Sequence, residues 1–202
     1  MNATSGTRET ALFPLHTVLF PGGLLPLRVF EPRYMEMTTA CLRESIPFGV
    51  CLIREGREVG APAEPYAVGC LARIMQWDMQ QLGVLNITVR GERRFRVLER
   101  RVQRDGLIRS EIELLADEDD ALVPEALAVC ARVLKAIIDD GAAAGIEAPL
   151  RYESASWVSA RLSEILPLPL AFKQQLLETD DSRQRLEALR EALREQKLAP
   201  EK

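Results

Sequence analysis

The sequence predicts an α+β fold, β-rich over residues 10–116 and helical over residues 117–202. Up to Leu114 the apolar residues come in strand-length runs or in period-2 alternation, cut by Pro, Gly and Asp-Gly turn signals. Beyond Leu115 they recur at helical spacing, with acidic and Gly/Pro stretches at the breaks. A chain of 202 residues, 47% hydrophobic and 28% charged, is long enough to bury a real core as one large domain or two small ones.

The first elements are set by proline and glycine. Pro14, Pro21 and Pro26 lack an amide donor and belong at strand ends, strand edges or turns, which rules out helix before Phe30. Gly22 and Gly23 after Pro21 supply the positive φ of a type II or related turn. Pro32 fits the first turn of a helix, whose stripe is Tyr34, Met35, Thr38, Cys41 and Leu42. This segment therefore reads strand, turn, strand, helix.

Continuous apolar runs at residues 48–53 and 68–75 suit strands covered on both faces. Residues 82–90 alternate, with Leu85, Ile87 and Val89 on one side and Asn86, Thr88 and Arg90 on the other. Gly91-Glu92 is expected to turn the chain, after which Phe95 and Val97 resume the alternation. A turn at Asp105-Gly106 leads to a strand with Ile108, Ser110, Ile112 and Leu114 on one face and Arg109, Glu111 and Glu113 opposite. Many short strands favour a closed or nearly closed barrel, because closure removes exposed edges.

The acidic run Asp117-Glu118-Asp119-Asp120 is placed to favour the positive end of a following helix. That helix carries Leu127, Cys130, Leu134, Ile137 and Ile138 and is stopped by Asp139-Asp140-Gly141. A second carries Ala155, Val158, Leu162 and Ile165 and is broken by Pro167 and Pro169. A short one follows around Phe172, Leu176 and Leu177, and Asp180 or Asp181 caps a last one carrying Leu186, Leu189 and Leu193. The other face of the last helix pairs Glu187 with Arg190 and Glu191 with Arg194, as on a water-facing surface.

Composition narrows the function classes. A net charge of −4 argues against a chain whose main work is binding nucleic acid or anionic lipid. No apolar run approaches the ~20 residues of a bilayer span and residues 1–10 are polar, so the expectation is a cytoplasmic protein with no membrane partner. Cys41, Cys51, Cys70 and Cys130 are far apart in apolar surroundings, as buried thiols are, without the close pairs of zinc or redox sites.

The pattern from Phe13 to Tyr34, Phe-Pro-Leu-x-Thr-Val-Leu-Phe-Pro-Gly-x-x-Leu-Pro-Leu-x-x-Phe-Glu-x-Arg-Tyr, closely resembles the opening of the Lon protease amino-terminal domain family. Val68-Gly69-Cys70-Leu71-Ala72-Arg73-Ile74, Val89-Arg90-Gly91-Glu92-Arg93-Arg94-Phe95 and Leu166-Pro167-Leu168-Pro169 extend the resemblance over residues 10–195. It implies a PUA-like β pseudo-barrel followed by a C-terminal helical bundle. It also implies a non-catalytic module that recognises unfolded or exposed polypeptide segments, as an adaptor or chaperone-like factor working with a separate protease or ATPase. The family's full-length protease needs a Gly-x-x-x-x-Gly-Lys-Ser/Thr phosphate loop and a Ser-Lys catalytic pair. The first spacing does not occur here, and the chain is expected to be the amino-terminal module standing alone, not an enzyme and without cofactor.

The positions the resemblance carries over as a peptide- or partner-binding site are Phe20, Pro21 and Gly22 in the turn and Glu31, Arg33 and Tyr34 at the helix start. Each also has a structural reading, with Phe20 and Tyr34 as core anchors and Glu31 favouring the helix amino end. The runner-up is binding of RNA or another anion through an Arg-rich hairpin. Seven arginines fall within the fifteen residues from Arg90 to Arg104, with Arg90, Arg94 and Arg96 on one outward face. Phe95 is the one aromatic there and is expected to point inward, which leaves no base-stacking platform. A third reading is a small hydrolase using His16, the only histidine, which also fits a plain surface residue. The acidic run lacks the alternating ligands and central glycine of a calcium loop, so no metal site is expected.

Overall fold

The computed structural model describes residues 7–116, 121–143 and 145–195, so the acidic run at 117–120 lies outside the described residues. The chain divides into two compact units, Met1–Asp117 and Glu118–Lys202.

The first unit is a sheet with one helix. Its strands are β1 (Thr7–Leu15), β2 (Leu24–Val29), β3 (Phe48–Glu55), β4 (Glu64–Pro65), β5 (Val68–Gln81), β6 (Val84–Val102) and β7 (Ile108–Leu114), with α1 (Pro32–Glu44) between β2 and β3. Five of them pair in a ring. β1 lies antiparallel to β7 and parallel to β3, while β7–β6, β6–β5 and β5–β3 are antiparallel. β2 stands outside the ring, paired to the first half of β6 from Leu24↔Arg90 to Val29↔Leu85. The prolines sit where they do least harm to the ladder: Pro14 one residue from the end of β1, Pro21 in a turn, and Pro26 on β2, which among the described residues pairs on one side only.

Every strand of the ring contributes to one apolar cluster, Leu12, Cys51, Leu71, Phe95, Ile108 and Ile112, and this marks the ring's interior. The space is narrow. A Cβ at Gly49 or at Gly69 would lie 2.7 Å from the Phe95 ring, so two glycines make room for one phenylalanine. The alternate residues of the same strands, among them Phe13, Leu15, Phe48 and Val50, join Tyr34, Met37 and Cys41 of α1 and Leu85, Ile87 and Val89 of β6 in a second cluster. Phe13 stacks on Tyr34 with centroids 4.0 Å apart. The buried stripe of α1 is Arg33, Tyr34, Met37, Thr38 and Cys41; Met35 and Leu42, expected in it, are only partly covered.

Three local expectations are corrected. Gly91-Glu92 is no turn: β6 runs unbroken through it for 19 residues, and the hairpin turn lies at Leu82-Gly83, where Gly83 has φ +81°. Gly91 instead stands just before a bulge in β6, since Cys70↔Arg94 is followed by Ala72↔Gly91 and Glu92 and Arg93 together oppose Leu71. The strand expected at 68–75 continues to Gln81, and only its first five residues are buried. Of the two turn glycines only Gly22 has positive φ, at +77°.

The second unit is helical. A 3-10 turn (Glu125–Leu127) leads into α2 (Ala128–Asp139), followed by α3 (Ala155–Ile165), α4 (Leu170–Glu178) and α5 (Ser182–Glu195). The Ser154 hydroxyl accepts from the Trp157 amide at 3.2 Å and caps α3; the Asp181 carboxylate accepts from the Arg183 amide at 2.8 Å and caps α5. The core is aliphatic, with Cys130, Leu134, Val158, Leu162, Leu176, Leu186, Leu189 and Leu193 buried. Arg185 lies among them, fully buried; its Nε donates to Ser159 Oγ of α3 at 2.9 Å and its Nη1 to the Leu176 carbonyl of α4 at 3.4 Å. No helix among the described residues is long and apolar enough to cross a membrane.

All four cysteines are free and buried. Burial pushes the Cys51 thiol up to about 12 and the Cys130 thiol to about 11. At pH 8 the thiolate fraction of Cys51 is then about one in ten thousand. Native protein is expected to leave these thiols unmodified by Ellman's reagent over an hour, and protein in 6 M guanidinium to titrate all of them at once. A thiol modified within minutes in the native state would contradict this packing.

Candidate functional site

The turn at residues 20–23 is fixed by its own backbone. The Gly23 amide donates to the Phe20 carbonyl at 3.0 Å, with Pro21 and the positive-φ Gly22 at the two central positions, as a type II turn requires. It is also clamped to β6: the Gly22 amide donates to the Gly91 carbonyl at 2.8 Å and the Gly91 amide to the Gly23 carbonyl at 2.9 Å. The Phe20 side chain is fully buried, whereas Pro21 is half-buried and Gly22 exposed.

At the start of α1 the Glu31 carboxylate accepts from Arg33 at 2.9 Å and from the Gly60 amide at 3.3 Å. Arg33 in turn donates to the Gly106 carbonyl at 3.3 Å and lies over the Tyr34 ring at 4.8 Å. Burial, against the opposing pull of Arg33, holds the Tyr34 hydroxyl above its ordinary pKa. Arg33 and Tyr34 are buried, so together with Glu31 they tie the helix start to the Gly60 loop and to the β6–β7 turn. The members of the expected site that meet solvent are Pro21, Gly22 and part of Glu31.

The arginines spread over one strand and the turn that follows it. Arg94, expected to face outward with Arg90 and Arg96, is 3% exposed, because a bulge within β6 at Glu92-Arg93 shifts the alternation; Arg96 is exposed and Arg90 half-buried. Arg93 donates to the Leu115 carbonyl at 2.8 Å, Arg100 pairs with Glu64 at 3.0 Å, and Arg101 pairs with Glu9. Arg90, Arg94 and Arg96 therefore form no single cationic face for a nucleic acid backbone. His16 is exposed; its backbone amide donates to Glu58, and among the described residues its imidazole has no hydrogen bond or ion pair. No group of three metal-ligating side chains occurs among the described residues.

A surface absent from the sequence reading lies on the outer half of the β5–β6 hairpin. Met75, Trp77, Met79 and Leu82 are exposed there, Trp77 by 61% and Leu82 by 96%, with Phe30 exposed just past the end of β2. Trp77 pairs with Ile87 of β6, which pairs with Leu27 of β2, so it extends a core row beyond the edge of the core. A shallow groove of about 360 Å³ spans this rung and its two neighbours, Pro26–Thr88–Gln76 and Arg28–Asn86–Asp78. β3 covers β5 only at Cys70–Ala72, so from residue 73 to 81 the outer edge of β5 has no strand partner among the described residues. The sequence held one signal, a tryptophan and two methionines alternating with polar residues between two stretches that read clearly as strands.

Comparison with known proteins fits this architecture. The chain is 28% identical over 190 residues to the Lon protease of Anaeromyxobacter dehalogenans, an alignment covering 90% of this chain and 22% of that protein. It is 26% identical over 190 residues to Lon protease 2 of Myxococcus xanthus, covering 23% of that protein, so it spans less than a quarter of the length of these curated relatives. The crystal structure of a Lon N-terminal domain protein from Xanthomonas campestris superposes with a TM-score of 0.77 at 37% identity, covering 90% of this chain and 96% of that one. The matching family model, described as the ATP-dependent protease La (LON) substrate-binding domain, spans residues 9–195, and the chain belongs to that family.

Proposed function

We infer that this chain is a non-catalytic recognition module for polypeptide, and that it holds exposed segments of unfolded or non-native proteins on the outer half of the β5–β6 hairpin. The carrying observation is the cluster of large apolar side chains in water at Met75, Trp77, Met79 and Leu82. Burying such a cluster against a partner is favourable at about 25 cal/mol per Å² of apolar surface. Family membership supports the reading. The accessible turn residues Pro21 and Gly22, with Glu31, are assigned a flanking contact with the same ligand or with a partner protein. In this reading the ring of strands with β2 is a PUA-like pseudo-barrel and the helices a small bundle. The module acts in the cytoplasm as an adaptor or chaperone-like factor beside a separate ATPase or protease.

The test is fluorescence anisotropy with a labelled, reduced and alkylated protein that cannot fold. Saturable binding in the micromolar range is expected, weakened roughly thirtyfold by Trp77→Ala, as for a central aromatic anchor. Trp77 is largely exposed, so this variant should keep the parent's unfolding midpoint. Absence of saturable binding up to high micromolar concentration would overturn the reading.

A further inference from the structure

We propose that the ligand of this surface is taken up as an added β-strand along the outer edge of β5, and that the site prefers a short extended segment with a basic residue opposite Asp78. The proposal rests on the polypeptide-recognition reading above and adds the mode of binding and the preferred side chain.

Between residues 73 and 81, β5 offers backbone donors and acceptors that no strand uses among the described residues. Sheet proteins protect such edges with lysine, with proline, with bulges or by covering them. This stretch contains neither lysine nor proline, and β3 leaves it after Ala72. The large side chains beside the edge are apolar, the combination used when extended peptides augment a sheet: main-chain bonds hold the peptide and alternate side chains select it.

The register sets the length. Gln76, Trp77 and Asp78 pair in step with Thr88, Ile87 and Asn86, but the ladder shifts between Ile74 and Gln76 and again between Asp78 and Gln81. A straight added strand follows the edge only between these two irregularities, which limits it to about five residues.

Charge sets the preference. The charged residues of the stretch are Arg73 and Asp78. Arg73 is neutralised by Glu92 and also donates to the Ser45 carbonyl, while Asp78 has no ion pair among the described residues. The next cation on that rung is Arg28, on β2 beyond Asn86. A new strand sits ~4.8 Å from β5 on the far side from β6 and so lies adjacent to Asp78, while the Arg28 guanidinium reaches β5 from the β6 side and is held there by Gln81 Oε1 at 3.5 Å. Arg28 is engaged with Gln81 and Asp78 has no ion pair among the described residues, so a cation on the added strand directly opposite Asp78 meets the nearer charge. The same carboxylate disfavours a second copy of this chain in the site, since edge-to-edge pairing about the two-fold would bring two Asp78 residues together.

Five-residue labelled peptides, Thr-Val-Lys-Val-Thr and its Glu-centred counterpart, acetylated and amidated, are titrated into the full chain alongside a Lys-centred peptide N-methylated at both valines. Methylation removes main-chain donors and leaves the side chains. The Lys peptide is expected to bind at least about threefold tighter than the Glu peptide, with the order reversed in Asp78→Lys, and methylation to weaken it about tenfold. A methylated peptide that binds as well as its parent, while Trp77→Ala weakens both, would overturn strand addition and leave polypeptide recognition standing. If the unfolded protein also fails to bind, the parent reading falls with it. A concentration-dependent dimer in light scattering that the Lys peptide does not dissolve would assign the edge to a second copy and overturn the proposal.

Discussion

Gly91→Ala is expected to destabilise the β unit by on the order of 3 kcal/mol, the upper end of what overpacking costs. A Cβ at this position would stand 2.1 Å from the Phe20 carbonyl oxygen, 3.0 Å from its carbon and 3.2 Å from Cys70 Sγ. Neither partner has room to yield. The Phe20 carbonyl is held by the Gly23 amide inside the type II turn, the Phe20 side chain is fully buried, and the amide and carbonyl of Gly91 are bonded to Gly23 and Gly22. Relief of the clash means lifting the turn off β6 and losing both clamping hydrogen bonds, each of about 1 kcal/mol net, together with part of the burial of Phe20. Gly83→Ala is the control. That glycine has φ +81° but nothing within 4 Å of the added Cβ, so only the left-handed backbone is strained, at about 1 kcal/mol. Urea unfolding followed by hydrogen exchange of the strand amides reads this unit separately from the helices. Equal losses in the two variants would show that the turn is not clamped.

Gly91 also shows why part of the fold was legible in the sequence and part was not. Proline and glycine act locally at residues 13–34: a missing donor and a positive φ fix strand, turn, strand and helix start whatever surrounds them, and the structure follows that order. Gly91-Glu92 looks the same to a local reading, but here glycine answers a distant need, the approach of the Phe20 carbonyl. The alternation was read correctly from Leu85 to Val89 and failed at Arg94, because a bulge belongs to a strand pair and leaves no mark on one strand alone. The candidate surface was hidden for a related reason. From Met75 to Gln80 apolar and polar residues alternate as in a strand, which reads as one covered face; pairing with β6 makes it a strand, but the core ends beneath it and leaves Trp77 in water. The capping carboxylate of Asp181 was legible, being local chemistry at a helix start. Arg185 was not, since a charged residue on a helix with exposed ion pairs reads as surface.

Arg185 carries the second large effect. Arg185→Ala is expected to cost about 3 kcal/mol in the helical unit, while Arg185→Met stays within about 1 kcal/mol of the parent. The alanine variant removes a long side chain from a site with no solvent access and leaves a cavity in the helical core. It also strips one hydrogen bond each from Ser159 Oγ and the Leu176 carbonyl. Methionine restores most of the volume, adapts its shape, and avoids the desolvation that a buried guanidinium entails. Of the stranded groups, Ser159 Oγ keeps its bond to the Ser156 carbonyl at 3.1 Å. Trp157, at the amino end of α3 with its ring edge-on to Tyr152 at 5.6 Å, supplies a fluorescence reading of this unit during urea unfolding. Similar losses for alanine and methionine would mean that the guanidinium itself is required: its bonds, among them those to α3 and to the carboxyl-terminal half of α4, would then fix the positions of these helices against α5, a task that hydrophobic volume alone does not perform.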